Sequence, residues 1–349
     1  MSTPLPPAAA LRRIAFLLER AREPSYRVQA FRTAAAVVDG LTDEQLDLKI
    51  GTNTLKDLKG VGPKTAAVVV QAHKGQVPEY LAKLESDYAE QLPAADDVAA
   101  FRAALKGDLH VHSDWSDGGS PIREMAEAAM ALGHDYMALT DHSPRLTVAN
   151  GLTAARLEKQ LDVVAELNEE LAPFRILTGI ECDINVDGSL DQTDELLGRL
   201  DVVVASVHSD LRADAKAMTA RMLTAVANPH TDVLGHCTGR LVIGRRQRNG
   251  TQKPRPESQF DAEAVFSACV EFGTAVEINS RPERLDPPRR LLTLAVELGC
   301  EFAIDTDAHA PGQLDWLGNG CERALECGVP VERVVNTRSA DDLVTWTAG

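Results

Sequence analysis

The sequence predicts an α/β protein in which a parallel (β/α)7 barrel follows a small all-helical domain. Two features of the chain predict this fold. From Lys106 onward, seven short apolar runs alternate with amphipathic or Ala- and Leu-rich stretches that have helical spacing. Before Lys106, apolar residues recur at helical spacing and no strand pattern is clear. Repeated strand–helix units are typical of a parallel sheet, and seven of them favour a barrel over a sandwich.

The front part of the chain is expected to be helical. Its apolar residues repeat at helical spacing in "AAALRRIAFLLERA", "YRVQAFRTAAAVVDGL" and "TAAVVVQAHKG". Residues 1–85 carry 12 Lys and Arg against 9 Asp and Glu, whereas the whole chain has a formal net charge of −16. The acidic, proline-interrupted stretch "ESDYAEQLPAADDVAAF" then predicts a linker or surface helix. We therefore expect a helical domain over 1–88, a linker over 89–104 and a barrel over 105–349.

Seven strands are predicted in the barrel, at "LHV", "YMALT", "RILTGIE", "VVVASVH", "DVLGH", "AVEIN" and "FAIDT". Helical stretches separate most of them. "SPIREMAEAAMALG" lies between the first and second strands, and "TAARLEKQLDVVAELNEELA" lies between the second and third. This order predicts that the carboxyl ends of the strands meet at one rim of the barrel.

Composition narrows the classes of function. The chain has 349 residues, 44% of them hydrophobic, without a recognisable transmembrane run or signal peptide, so a cytoplasmic protein without a membrane partner is expected. Six scattered cysteines without a CxxC pair are typical of a reducing compartment. The negative net charge argues against electrostatic coating of nucleic acid by the whole chain. It suits a site that gathers cations.

Metal-ligand residue types lie at or directly after six of the seven predicted strands. They are His110, His112, Asp117, His142, Glu181, His208, His236, Asp307 and His309. Each one alone has an ordinary explanation, since a single histidine at a strand end is usually a hydrogen-bonded surface residue. Their joint placement at one barrel rim indicates a metal site. Nine such residues suit more than one Zn²⁺, Mn²⁺ or Fe²⁺ ion, because imidazole and carboxylate bind all three metals.

Clustered divalent ions are the usual apparatus for hydrolysing a phosphate ester. They lower the pKa of a bound water, hold the phosphoryl oxygens and stabilise the leaving oxygen. Neither a Ser–His–Asp arrangement nor a Gly-rich phosphate loop competes with this interpretation in the sequence. The candidate chemistry is therefore metal-assisted phosphoester hydrolysis.

The motifs "DLHVHSDWSDG", "ALTDHS", "LTGIECDI", "ASVHSDL", "LGHCTGR", "VEINSRPERLD" and "IDTDAH" resemble the PHP (polymerase and histidinol phosphatase) family. They are most similar to the PHP domain at the C-terminus of bacterial family X DNA polymerases, over about residues 106–346. This resemblance implies a distorted seven-stranded β/α barrel with three divalent metal ions. It also implies Mn²⁺-dependent 3′–5′ exonuclease or related phosphoesterase activity. Other members of the superfamily hydrolyse histidinol phosphate or nucleotide phosphates.

The resemblance also informs how the candidate ligands are grouped. One ion is expected at His110, His112, Glu181 and Asp307, a second at Glu181, His208 and His236, and a third at Asp117, His142 and His309. Glu181 and Asp307 are thus expected to act in catalysis. Arg240 is expected to support the developing negative charge, because "TGR" directly follows the His236 strand and matches the family pattern. Arg284, in "RPERLD", is a weaker phosphate-binding candidate.

The front part resembles the N-terminal helix-hairpin-helix domain of the same polymerases. "PSYRVQAFRTAA" is similar to its basic helix, which makes Arg27 and Arg32 candidate DNA contacts, and "LKGVGPKTAAVVV" is similar to its hairpin. Gly60 and Gly62 would form a tight turn whose N–H groups donate to a DNA phosphate at a helix N-terminus, with Lys64 beside it. The alternative is a helical hairpin with an ordinary glycine turn.

Two departures from those polymerases bear on function. Only about 20 residues separate the two resembling parts, so the chain has no room for a polymerase palm and fingers between them and is not expected to be a polymerase. Some members of the wider family form a Schiff base through a lysine four residues beyond the hairpin lysine. This chain has Val68 at that position, and valine has no amine for that chemistry.

A basic segment follows the fifth predicted strand. "GRLVIGRRQRNGTQKPRPESQ", residues 239–259, has six Lys and Arg and no acid between 240 and 255. Arg245 and Arg246 are candidate substrate contacts if this segment is a basic rim that draws phosphate to the metals. A solvated surface insertion is the alternative.

The favoured function is a metal-dependent phosphoesterase acting on DNA, as a 3′–5′ exonuclease or DNA end-processing enzyme in repair. One alternative is a small-molecule phosphatase of the histidinol-phosphatase type, which would not need the front domain. Another is a non-catalytic repair scaffold that binds DNA. The complete set of nine metal-ligand residues argues against it, because a protein that had lost its activity would not need them.

Overall fold

The computed structural model describes residues 3–90, 96–244 and 252–349. The chain divides into two compact units, Met1–Ala94 and Ala95–Gly349. Each unit has its own core of buried apolar side chains. Within the described residues, no helix combines the length and the apolar character needed to cross a membrane. The six cysteines are free thiols.

The first unit is built from helices, as the periodicity predicts. Over residues 3–90 these are α1 (Pro7–Arg20), α2 (Ser25–Asp39), α3 (Asp43–Gly51), α4 (Pro63–His73) and α5 (Glu79–Ala89). The three expected helices are α1, α2 and α4. Apolar periodicity misses α3 because Leu46 is its one buried residue. Its start is fixed instead by a capping box in which Thr42 and Gln45 each bond the other's backbone N–H group.

The turn before α4 is shaped by packing as well as by its glycines. Gly60 has a φ of +99°, and a Cβ atom there would lie 2.7 Å from Cγ2 of Thr33 on α2. Only glycine combines that conformation with so close an approach. Gly62 caps α4, and its N–H group donates to Oγ1 of Thr65 at 2.9 Å. The glycine turn thus holds α4 against α2, whatever else it binds.

The second unit is a seven-stranded parallel barrel surrounded by helices. Its strands are β1 (Gly107–Val111), β2 (Tyr136–Leu139), β3 (Arg175–Asp183), β4 (Val202–Ser206), β5 (Val233–Leu234), β6 (Ala275–Asn279) and β7 (Phe302–Asp305). They pair in sequence order, β1 to β7, and all seven predicted strands are confirmed.

The helices of this unit come before and between the strands and after the last one. They are α6 (Asp96–Ala104), α7 (Ile122–Ala131), α8 (Ala154–Leu171), α9 (Asp194–Leu197), α10 (Ala215–Val226), α11 (Ala262–Phe272), α12 (Arg289–Leu298), α13 (Leu317–Glu326) and α14 (Ala340–Thr347). Helix α6 covers much of the stretch expected to be a linker or surface helix. The domain limits 1–88, 89–104 and 105–349 stay a prediction.

Strand β3 distorts the barrel because its two halves pair with different neighbours. Residues 175–178 pair with β2, and residues 179–183 pair with β4. The change falls at Gly179, where a Cβ atom would lie 2.7 Å from the carbonyl oxygen of Val202 and 3.0 Å from that of Leu139. A glycine at this point lets three strands approach closely, and the second half of β3 carries Glu181 to the rim.

The barrel is nearly closed between β1 and β7. A parallel bridge joins Val111 to Ala308, and the N–H group of His112 donates to the Ala308 carbonyl at 2.8 Å. The N–H group of Leu109 donates to Oδ1 of Asp305 at 2.8 Å. Closure places the last strand, β7, beside the first, β1, so the residues that follow these two strands share one side of the rim.

His134, just before β2, predicts a pH-dependent loss of stability. It is buried, and its Nε2 lies 2.6 Å from Nη2 of Arg102. Burial, reinforced by Arg102, lowers the pKa of His134 to about 3. The unfolded chain takes up a proton near pH 6.5 and the folded chain does not, so stability is complete above pH 6.5 and falls as pH decreases toward 3.

We expect this histidine to cost the metal-stripped protein about 2 kcal/mol of unfolding free energy between pH 7 and pH 5. His134→Gln, which cannot take up the proton, should remove that part of the pH dependence. Urea unfolding of both proteins at the two pH values measures it. Equal losses in the two proteins would contradict the assignment.

Candidate metal centre

The nine residues singled out in the sequence converge at the carboxyl rim of the barrel. His110 lies in β1 and Glu181 in β3, and the others lie in the loops that follow β1, β2, β4, β5 and β7. Four overlapping sets have ligand atoms within 4.8 Å of one another: His112, Asp117, His142 and His309; His110, Glu181 and His236; His110, His112 and Asp307; and His142, Glu181 and His208. Side chains that are up to 199 positions apart in the chain thus form one cluster.

Glu181 is the centre of this cluster. Its Oε1 lies 2.8 Å from Nε2 of His236, 3.2 Å from Nε2 of His208 and 3.4 Å from Nε2 of His110. Its Oε2 lies 2.8 Å from Nδ1 of His142 and 3.6 Å from Nε2 of His112. The carboxylate therefore presents one oxygen to each of two groups of imidazoles, which is the geometry of a bridging ligand.

Two further carboxylates complete the cluster. Oδ1 of Asp117 lies 3.3 Å from Nε2 of His309 and 3.4 Å from Nε2 of His142. Oδ1 of Asp307 lies 3.5 Å from Nε2 of His112. His110, His112 and His142 each face members of more than one predicted group. Their assignment to single ions stays a prediction.

The residues present fit divalent ions. Several buried polar atoms of the cluster make no hydrogen bond within the described chain: Nε2 of His110, His112, His208 and His236, Nδ1 of His142, and both carboxylate oxygens of Glu181. Buried polar atoms without partners are costly, and each one in a native protein calls for an explanation. Imidazole nitrogens and carboxylate oxygens that face one another at 2.8–3.6 Å form a donor set that suits a divalent ion.

Electrostatics divides the imidazoles of the cluster into two sets. Burial opposes protonation, but Glu181 outweighs it at His110, His142 and His208, whose pKa values are raised. Burial lowers the pKa of His112 well below its usual value, so this imidazole is neutral. Burial alone would raise the pKa of Glu181, but His208 and other imidazoles hold it well below its usual value. Burial is likewise outweighed at Asp307, whose pKa is lowered by Arg284 and Arg281. Neutral imidazoles and ionised carboxylates are the metal-binding forms.

Glu277 is a site residue that the strand-end pattern misses. It lies within β6, the one strand without a candidate, and it is fully buried. Its Oε1 lies 2.6 Å from Nδ1 of His110, and its Oε2 accepts the backbone N–H group of His236. A carboxylate on the second ring nitrogen fixes the tautomer that leaves Nε2 free for a metal. The one available signal was a glutamate inside the apolar run "AVEIN".

Asp183 and Asp141 act in the same indirect way. Asp183, at the end of β3, hydrogen-bonds Nδ1 of His208 and so directs Nε2 toward Glu181. Asp141, in the loop after β2, holds the loop after β1. It accepts hydrogen bonds from the N–H group of Ser113 at 2.8 Å and from Nε2 of Gln160 at 2.7 Å.

Two arginines after β6 lie against Asp307. Nε of Arg284 donates to Oδ2 of Asp307 at 2.8 Å, and Nη1 of Arg281 donates to its Oδ1 at 3.3 Å. Nη1 of Arg284 is buried and has no hydrogen-bond partner in the described part of the chain. The structure therefore brings Arg284, the weaker candidate in the sequence, into the cluster.

Arg240 has different contacts from those expected of a catalytic arginine. Its Nε donates to the Arg284 carbonyl at 3.1 Å, its Nη2 donates to the Leu285 carbonyl, and its Nη1 lies 3.7 Å from Glu257. Arg240 follows a turn at Gly239, whose φ is +60°, and its guanidinium reaches the loop after β6. These contacts do not support its predicted catalytic role. Arg245 and Arg246 lie outside the described residues.

The DNA-contact candidates of the first unit form two groups. Arg27 and Lys64 meet at Tyr80: Nη2 of Arg27 donates to the Tyr80 hydroxyl at 2.8 Å, and Nζ of Lys64 lies 5.9 Å from the ring centroid. Both arginines are ion-paired, Arg27 through Nη1 with Glu23, and Arg32 through Nε at 2.6 Å from Oε1 of Glu19. Arg32 is thus occupied by an internal carboxylate, whereas Lys64 stands beside the glycine turn.

Comparison with known proteins agrees with this division of the chain. Residues 108–281 match the PHP domain family and residues 6–76 match a helix-hairpin-helix domain family. A Bacillus subtilis (strain 168) protein named "DNA polymerase/3'-5' exonuclease PolX" is 43% identical over 239 residues, which are 68% of this chain and 40% of that protein. The chain thus spans well under half the length of this relative.

Phosphatases are also similar to the chain. A protein from Thermoanaerobacter sp. (strain X514) named "probable phosphatase" is 27% identical over 241 residues, covering 66% of this chain and 89% of that protein. Among solved structures, the histidinol phosphate phosphatase from Lactococcus lactis, complexed with zinc, L-histidinol and phosphate, matches with a TM-score of 0.47 and 21% identity. That match covers 64% of this chain and 94% of that one.

Replacing Glu277 tests the indirect support of the metal ligands. We expect Glu277→Gln to weaken divalent-metal binding about tenfold, because outer partners of ligating histidines typically contribute that much. Glu271→Gln, which removes an exposed carboxylate from α11, is the matched control. Zn²⁺ titration of the metal-stripped proteins by calorimetry measures both, and equal affinities would show that Glu277 does not support the site.

Proposed function

We propose that this chain, which belongs to the PHP domain family of phosphate-ester hydrolases and carries an N-terminal helix-hairpin-helix domain, is a metal-dependent phosphoesterase that acts on DNA ends. The observation that carries the proposal is the set of buried imidazole nitrogens that converge without hydrogen bonds on both oxygens of Glu181. A 3′–5′ exonuclease or an end-cleaning phosphatase in repair are the two forms of this activity that we consider.

The chemistry needs ions, and the protein's own residues hold and orient them. His110, His112, Glu181 and Asp307 would hold one ion, and Glu181, His208 and His236 would hold another. Bound divalent ions would lower the pKa of a water and draw charge from phosphoryl oxygens. We propose three ions, and Mn²⁺, Zn²⁺ and Fe²⁺ all suit this mixed nitrogen and oxygen donor set.

Arg284 takes the role that the sequence assigned to Arg240. Its guanidinium is anchored through Nε on Asp307, while the buried Nη1 has no partner among the described residues. A phosphate ester lying over the ligand cluster would give Nη1 an acceptor and satisfy it. Charge-assisted hydrogen bonds from arginine to phosphate strengthen as negative charge develops in the transition state.

The first unit supports DNA as the substrate. Lys64 follows the turn at Gly60 and Gly62, at the N-terminus of α4, and shares Tyr80 with Arg27. A helix N-terminus with nearby cations is suited to a backbone phosphate, and such contacts position DNA without reading its sequence. The similar B. subtilis protein has both polymerase and 3′–5′ exonuclease in its name. Residues 86–105 leave no room for a polymerase domain between the two parts of this chain.

A small-molecule phosphatase is the second candidate. The relatives named "probable phosphatase" align over 66% of this chain and about nine-tenths of their own length, so about a third of this chain has no counterpart in them. A phosphatase of the histidinol-phosphatase type would use the same cluster without a DNA-binding domain. A scaffold without activity is disfavoured, because it would not require the buried, hydrogen-bonded support of His110 by Glu277. The cytoplasmic location stays a prediction.

The DNA proposal is tested with the full chain, stripped of metal and reloaded with Mn²⁺ or Zn²⁺. We expect it to shorten or dephosphorylate end-labelled single-stranded and gapped DNA. His110→Ala should reduce that activity at least a hundredfold, because it removes a ligand. Lys64→Glu should raise the KM for DNA and leave the turnover of histidinol phosphate unchanged, since its effect is on a phosphate contact.

Lys83→Glu, which makes the same charge change at an exposed position of α5, is the control for Lys64→Glu. Labels at the 3′ and the 5′ end give the polarity. Turnover of histidinol phosphate without any action on DNA would support the small-molecule phosphatase instead. Loss of neither activity in His110→Ala would argue against the metal site itself.

A separate comparison tests the choice of arginine. We expect Arg284→Met to lower kcat/KM for phosphoester hydrolysis about a hundredfold, because it removes a guanidinium that contacts Asp307 and whose buried Nη1 has no hydrogen-bond partner among the described residues. Arg240→Met should have a smaller effect. A larger loss in Arg240→Met than in Arg284→Met would return the role to Arg240.

A further inference from the structure

We propose that Arg156 and Gln160, on one face of α8, position the loop that presents Asp117 to a metal ion. The loop, residues 113–119, will be called the Asp117 loop. The inference rests on the proposed function only in that His112, Asp117, His142 and His309 are taken to hold a divalent ion. Neither Arg156 nor Gln160 belongs to that set, so both would act through the loop.

Asp117 is the candidate ligand that most needs such support. Its side chain is 37% exposed, whereas those of His110, His112 and Glu181 are 0% exposed. It also lies in a loop, while His110 and Glu181 lie within strands. An exposed carboxylate on a loop loses conformational freedom when it binds an ion, so the protein must hold it in advance to gain affinity.

Arg156 joins the Asp117 loop to the loop that follows His142. Its Nη2 donates to the carbonyl of Trp115, two residues before Asp117. Its Nη1 donates to the carbonyls of Asn150 at 2.7 Å and Gly151 at 3.1 Å. Nδ2 of Asn150 donates to the same Trp115 carbonyl at 3.3 Å. One guanidinium thus fastens the loops that carry two members of the set.

Gln160 secures the other side of the same loop through Asp141. Its Nε2 donates to Oδ2 of Asp141 at 2.7 Å, and both groups are buried. Asp141 in turn accepts from the Ser113 N–H group at 2.8 Å, from the Ser113 hydroxyl at 2.6 Å and from the Ser116 hydroxyl. Residues on each side of Trp115 are therefore bound to one carboxylate that Gln160 holds.

The two contacts act together because of helix geometry and a rigid turn. Arg156 and Gln160 are four residues apart in α8, so they project from the same face. Within the loop, the N–H group of Gly118 donates to the Ser113 carbonyl at 2.9 Å, and a Cβ at Gly118 would lie 2.5 Å from that oxygen. The N–H group of Gly119 also donates to the His309 carbonyl at 2.7 Å, so α8 holds the part of the loop that precedes Asp117.

The expected consequence is selective. Loss of the Arg156 contacts should weaken the binding of the ion at Asp117. It should leave binding around Glu181 unchanged, because the barrel strands and Glu277 fix His110, Glu181 and His236. Outer groups that orient a ligand typically change metal affinity about tenfold to a hundredfold. Only the class of sites with the lowest metal affinity should therefore lose affinity.

The experiment counts Mn²⁺ bound to the metal-stripped full chain, by equilibrium dialysis over a range of Mn²⁺ concentrations. The variants are Asp117→Asn, Arg156→Met, Arg156→Lys, Gln160→Leu and the double variant with Asp117→Asn and Arg156→Met. Lys159→Met, an exposed neighbour on α8, is the matched control. Thermal unfolding of each metal-free variant shows whether it is folded.

Asp117→Asn should weaken the weakest class of Mn²⁺ sites, and Arg156→Met and Gln160→Leu should weaken that same class about tenfold. Arg156→Lys should recover part of the affinity, and the double variant should be no weaker than Asp117→Asn. Isotherms of Arg156→Met that match Lys159→Met would overturn the proposal. So would equal weakening of all classes, or no effect of Asp117→Asn. Because this experiment measures metal binding and not phosphoester turnover, its failure can be distinguished from a failure of the proposed activity.

Discussion

The burial of the Glu181 carboxylate among five imidazoles is the constraint on which the rest of the barrel rim depends. An ionised carboxylate without hydrogen bonds is costly in a protein interior, and so are the ring nitrogens that face it. Divalent ions remove that cost by giving every one of these atoms a partner. The fold brings the groups together in spite of the cost, which indicates that the arrangement serves binding rather than stability.

Several features of the barrel follow from this constraint. Strand β3 changes partner at Gly179, so that its second half delivers Glu181 and Asp183 to the rim. Closure between β1 and β7 places His112 beside Asp307 and His309. Carboxylates outside the ligand set, above all Glu277, then fix the imidazole tautomers. A buried cluster of apolar side chains, including Leu109 and Val204 from the middle of β1 and β4, supplies the stability that the polar rim does not.

Much of this organisation is visible in the sequence, because local patterns carry it. The alternation of apolar runs with helical stretches predicts the seven strands, and ligand-type residues at their ends predict the nine-residue cluster. The sequence patterns miss Glu277, because a single glutamate inside an apolar strand does not form a pattern of its own. Its partner His110 is 167 residues away, and only the closed barrel brings them together.

Arginine roles could not be predicted from position alone. Arg240 and Arg284 both follow strands near ligand residues, but a guanidinium reaches its partner through a long side chain whose direction depends on the neighbouring loop. The structure turns Arg240 to the carbonyls of Arg284 and Leu285, and it turns Arg284 to Asp307. Helix α3, with its single buried Leu46, likewise depends on its cap rather than on apolar periodicity.

A crystal structure of the Mn²⁺-loaded full chain, with anomalous differences measured at the manganese edge, tests the central claim most directly. The account expects separate peaks at about 2.0–2.3 Å from each oxygen of Glu181, with imidazole nitrogens of the cluster completing each coordination shell. A map without a peak at Glu181, in crystals grown with millimolar Mn²⁺, would contradict the account.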